Sequence, residues 1–173
     1  LIRGRWFEPP FSGLGFSRLL ERAFSAMAST PAEEPLLPPG HPLSLYVTAT
    51  DFHGYLELLR LNSPPVVEDT EHRMPISFES RTPASGGHDL ANPLELVFAA
   101  RATASFPGAF PPLQLSEIDR LSDLTERRWP GRQGFLERIM PVHVARESID
   151  SVSLIDGSVL VNKPFAGAIS ALQ

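Results

Sequence analysis

The sequence predicts an α/β domain in which helices cover the faces of a sheet. Three observations carry that expectation. Short β-rich runs alternate with helical stretches, one helical stretch is apolar nearly all round, and 18 prolines among 173 residues break the chain too often for a long-helix bundle. Hydrophobic residues make up 42% and charged residues 20%, enough apolar content for a packed core in a chain of single-domain length. Cysteine is absent, which excludes disulfides, thiolate metal sites and a cysteine nucleophile.

Taken in order, Phe16, Leu19, Leu20, Ala23, Phe24 and Met27 recur at spacings of three and four, predicting an amphipathic helix over 15–29 that buries this face. The proline-rich run over 31–42 is a stiff connection. Leu43 to Thr50 alternates apolar and β-branched residues as a strand does. Asp51 to Gly54 is expected to turn the chain into a second extended run, Tyr55 to Leu61, and Ile76 to Ser80 reads as a short strand. After a loop over 81–92, Asn92 and Pro93 fit the N-cap and first position of a helix running from Leu94 to Ser105. Only Glu95, Arg101, Thr103 and Ser105 are polar in it, so it is expected to be buried on nearly all sides. The run Phe106-Pro107-Gly108 cannot continue it. Helical pieces broken at Pro130 are expected over 116–140, a strand over Ser151 to Ile155, extended structure at Val159 to Val161, and a last helix over 165–172 behind Pro164.

The net charge of −5 gives no basic face for phosphates. Arg127, Arg128 and Arg132 cluster about Trp129, but Asp119, Asp123, Glu126 and Glu137 flank them, and a solvated mixed-charge face is expected in place of a nucleic-acid site. His41, His53, His72, His88 and His143 show no metal-ligand spacing, so neither metal nor cofactor is expected, and the five stand in no catalytic arrangement. Gly13-Leu14-Gly15 and Gly86-Gly87 continue into no phosphate-binding pattern, and no G-x-S-x-G serine turn exists. No run of 18 apolar residues suggests a membrane span. The first residues and the apolar run at 165–172 read as those of a piece of a longer chain.

Asp156-Gly157 divides the readings. An Asp-Gly pair between Val152, Leu154 and Val159, Val161 is a strong two-residue hairpin signal. A carboxylate at a strand end, with Gly157 allowing close approach, also suits a general base.

Three segments in order resemble the patatin-like phospholipase family: Leu45 to Asp51 with its Thr-Asp turn, Ala99 to Pro112 with its proline-rich exit, and Ile155 to Phe165 with Asp156-Gly157 and Asn162-Lys163-Pro164. Ser158 stands where that family has glycine or alanine. The resemblance implies a three-layer α/β/α sandwich, of which residues 1–173 form the C-terminal portion, a fragment without the G-x-S-x-G segment. It further implies hydrolysis of lipid acyl esters by a serine–aspartate dyad without histidine, Asp156 being the general base beside the motif residue Gly157. The partners so implied are a lipid or acyl-ester substrate, a membrane surface touched peripherally by a cytoplasmic protein, and the rest of the catalytic domain or another chain covering a parallel sheet. The alternative is a non-catalytic lipid-binding or protein-interaction module on a degenerate scaffold of the same kind.

Overall fold

The computed structural model describes residues 9–29, 37–38, 40–81, 90–160 and 169. In chain order the elements are α1 (Gly13–Ser29), β1 (Pro42–Arg60), β2 (Val66–Arg81), α2 (Pro93–Thr103), α3 (Leu115–Thr125), α4 (Arg132–Ile139), α5 (Pro141–Ala145) and β3 (Leu154–Asp156). Single 3-10 turns at Ile149–Ser151 and Gly157–Val159 flank β3.

The described strands form one sheet in the order β2-β1-β3, and both pairings are antiparallel. The mixed α/β class stands; the parallel pairing expected from the sequence does not. For β1 and β2 the reason lies in the length of their connection. Arg60 and Val66 are close enough for a hairpin, whereas parallel neighbours need a long crossover between them.

The turn expected at Asp51 to Gly54 does not divide the strand. Thr50 pairs with Arg73 and Tyr55 with Glu71, so these four residues stand opposite His72 alone, as a bulge inside β1. Gly54 adopts a left-handed φ of 68° there, and a Cβ at that position would overlap the His72 ring. The short strand expected at Ile76 to Ser80 is part of the much longer β2.

Leu45, Val47 and Ala49 pair with Phe78, Ile76 and Met74, so all six side chains share one sheet face. Helix α2 packs on that face with Leu94, Val97, Phe98 and Ala102 buried. Phe135 of α4 sits among Phe98, Phe78 and Trp129, at ring separations of 5.4, 6.2 and 5.7 Å. The start of α2 follows its sequence signals: Asn92 accepts a hydrogen bond from the Leu94 amide at 2.9 Å, and Pro93 occupies the first turn. The break at Pro130 between α3 and α4 is also as expected.

Helix α1 is rotated from its expected orientation. Its buried stripe is Gly13, Ser17 and Glu21, while Leu19 and Met27 are 61% and 70% exposed. The cause is Arg101, which lies in α2 with no exposure at all. A buried guanidinium must be matched by acceptors. Arg101 donates to Glu117 at 3.1 Å, to the Ser105 hydroxyl at 2.6 Å and to the Pro111 carbonyl at 2.9 Å. Glu117 also accepts from Ser17 at 2.5 Å, and Glu21 pairs with Arg127 at 2.8 Å. Gly13 admits the Arg101 and Glu117 side chains where a Cβ would meet both. Thus α1 packs through a polar seam, with Leu14, Leu20 and Phe24 half-buried beside it.

Two of the arginines about Trp129 are paired, one with a flanking acid as expected and one with a buried acid of α1 outside that set. Arg127 meets Glu21, and Arg132 grips Asp119 with two hydrogen bonds of 2.7 and 2.8 Å. The Val159 to Val161 strand is replaced, at its described residues, by the 3-10 turn, and the strand expected from Ser151 begins only at Leu154. The proline-rich run lies largely outside the described residues, and the helix expected over 165–172 lies outside them but for Ile169.

Candidate functional site

Asp156 ends β3 beside the middle of β1, partnering Ala49. It therefore belongs to the same sheet face as Ala49, Val47 and Leu45. Its backbone is fixed on two sides. The Asp156 amide donates to the Ser105 carbonyl at 3.1 Å, just past α2, and its carbonyl accepts from the Thr50 hydroxyl at 3.1 Å. One carboxylate oxygen, Oδ1, accepts from the Ser158 amide at 2.9 Å and caps the 3-10 turn that follows.

Gly157 is buried, and a Cβ on it would collide with the Thr48 backbone and hydroxyl. The close approach expected at this glycine is thus made by β1. Asp156-Gly157 is not a two-residue hairpin, because the chain leaves β3 in a 3-10 turn pressed onto β1. Among the described residues no serine hydroxyl bonds to the Asp156 carboxylate.

An open apolar groove of about 540 Å³ lies between α1, β1 and α2. Phe24, Met27, Leu45, Val47, Leu96 and Ala100 contribute to its wall. The register puts Leu45 and Val47 in line with Asp156 on that face.

A second constellation escaped the sequence. Asp51, in the β1 bulge, is 1% exposed, and its Oδ2 lies 3.0 Å from Nε2 of His143 on α5. The other ring nitrogen, Nδ1, lies 3.1 Å from the Ser148 hydroxyl. Asp51 Oδ1 accepts from the His53 amide at 3.2 Å, and its backbone carbonyl lies 2.8 Å from His72 Nδ1. The Tyr55 ring stands edge-on to the His143 ring at 5.3 Å, and burial pushes the Tyr55 hydroxyl above its ordinary pKa. His143 thus has buried and half-buried partners that its isolated place in the sequence does not suggest. No local pattern announces the trio, because Asp51 and His143 are 92 positions apart. The only nearby signal was Asp51 two residues before His53, and His88 lies outside the described residues.

Elsewhere, burial raises the Glu95 carboxyl above its ordinary range, against the opposing effect of a 3.4 Å hydrogen bond from the Trp129 indole. Among the described residues no three acidic or histidine side chains gather as a metal site, and no helix is long and apolar enough to cross a membrane. Comparison with family models, curated proteins and solved structures finds no match to this chain.

Proposed function

We propose that this chain supplies the general base, Asp156, of a lipid acyl-ester hydrolase of the patatin-like kind that its sequence resembles. One observation supports this reading above the others. The three segments that carry the resemblance meet at Asp156: Ser105 holds its amide, Thr50 its carbonyl, and Thr48 abuts Gly157. A carboxylate on so constrained a backbone can face a nucleophile with little reorganisation.

In this reading the serine belongs to a G-x-S-x-G segment carried outside this sequence. As that hydroxyl attacks the ester carbonyl, its proton passes to Asp156. The tetrahedral intermediate collapses as the departing alkoxide takes that proton from Asp156 and leaves as the alcohol. Water deprotonated by the same carboxylate then clears the acyl-enzyme. The groove beside Leu45 and Val47 offers the acyl chain an apolar wall.

The test is hydrolysis of p-nitrophenyl esters by the full polypeptide that carries these residues. Asp156→Asn is expected to lower kcat by about 100-fold or more. Near-normal turnover in that variant overturns the assignment.

The same groove favours a second reading, a lipid-binding module without catalysis. Under that reading the protein sediments with phosphatidylcholine vesicles yet hydrolyses no ester, and the vesicle binding weakens in Leu45→Asp.

A further inference from the structure

We infer that Ser148 is a nucleophilic serine, activated by His143 and Asp51, and open to acylation independently of Asp156. The argument begins with the proton on the imidazole. A carboxylate offers only acceptor oxygens, so the nitrogen that faces Asp51 Oδ2 at 3.0 Å, Nε2, carries the hydrogen of neutral His143. That leaves Nδ1 as a lone-pair acceptor, and the Ser148 hydroxyl 3.1 Å away donates to it. Nucleophile, base and orienting carboxylate stand in sequence, each within hydrogen-bond reach of the next. Either ring nitrogen serves as base in such a relay; the hydrogen bond made by the other decides which.

Burial reinforces the arrangement. Asp51 and His143 are 1% and 6% exposed, so water competes little for their hydrogen bond, while Ser148 is only half-buried and can be reached from outside. The serine is held on a bent backbone. Glu147 before it has a left-handed φ of 53°, the Ser148 amide donates to the His143 carbonyl at 2.9 Å, and Ser151 donates to the Ser148 carbonyl at 2.7 Å. The Ser148 hydroxyl has one further neighbour, the His143 carbonyl at 3.5 Å, a longer approach than the one to Nδ1.

The chemistry that follows is acyl transfer from a small activated ester. The Ser148 oxygen bonds to the carbonyl carbon while its proton moves to His143 Nδ1. The carbon–alkoxide bond then breaks, and the departing alkoxide takes that proton, leaving an acyl-serine and a free alcohol. With a fluorophosphonate the oxygen–phosphorus bond forms, the phosphorus–fluorine bond breaks, and the proton leaves with fluoride.

The experiment maps the adduct and leaves turnover aside, so its outcome is separate from that of the Asp156 assay. Native protein is treated with a fluorophosphonate probe and digested, and every serine is scored by mass spectrometry, in buffer and in urea. Labelling of Ser148 at least 100-fold above the other serines, lost in urea, is the expected result. Asp51→Asn is expected to slow the native reaction at Ser148 by 10-fold or more. Ser148 labelling absent in the native protein, equal to that of the other serines, or undiminished in urea overturns the inference.

Discussion

Arg101 Nε donates to Glu117 Oε1 at 3.1 Å, joining α2 to α3 from a position with no exposure to water. Removing the guanidinium would leave the Glu117 carboxylate without its countercharge, held by Ser17 alone, and would strand the Pro111 carbonyl. Arg101→Met is therefore expected to cost about 3–5 kcal/mol, read as a lower midpoint in urea unfolding. Arg101→Lys recovers little of this, because a single ammonium cannot reach three separated acceptors in the guanidinium's planar geometry.

At Gly157 the constraint is steric. A methyl group there meets the Thr48 backbone, which cannot swing aside as a side chain would. Gly157→Ala should cost about 1–3 kcal/mol or more and displace Asp156 from Ser105. Denaturant midpoints and amide exchange at Asp156 would check both parts.

The rotated orientation of α1 makes two opposite forecasts. Leu19→Gln and Met27→Gln should each change stability by no more than about 0.5 kcal/mol, since both side chains already face water. Ser17→Leu should be severely destabilising, because it removes the 2.5 Å hydrogen bond to Glu117 and forces a larger side chain into the seam. Thermal melts of the three variants provide the comparison. A loss at Leu19 exceeding that at Ser17 would reverse our orientation of the helix.

Acid should loosen the same seam. Burial pushes the Glu21 carboxyl up, but hydrogen bonds from Ser25 and Arg127 and the charges of Arg127 and Arg22 outweigh it, leaving the pKa below its ordinary 4.5. Glu71 is held lower still, at about 2, first by its hydrogen bond from Arg73. Both folded-state values lie below the unfolded ones, so their contribution is complete above about pH 4.5 and disappears as pH falls through the folded values. Unfolding midpoints measured from pH 6 to pH 2 should fall below 4.5, less steeply in Glu21→Gln.

Local signals in the sequence carried far when the structure used them locally. Asn92 and Pro93 announced the start of α2, and Pro130 marked the break between α3 and α4. What failed to show were features set by distant partners. Nothing within 15–29 says that Ser17 and Glu21 turn inward, because the reason is Arg101 and Arg127, contributed by other parts of the chain. The same holds for the residues of the candidate sites. Asp156 was legible from its strand end and its glycine, whereas Asp51, His143 and Ser148 become a group only when the β1 bulge meets α5. Asp156-Gly157 shows the limit of a pair signal. Its hairpin propensity was overridden by the packing of Gly157 on Thr48.

The bulge at Asp51 to Gly54 bears on how the long hairpin finds its alignment. A two-residue slide of β1 along β2 would keep every side chain on its own face, so alternation alone cannot forbid it. Four residues opposite His72 can be accommodated at one place only, and sliding would carry Asp51 away from both His72 and His143. The bulge thus acts as a ratchet stop on the hairpin, and the buried aspartate that sits in it is the pawl.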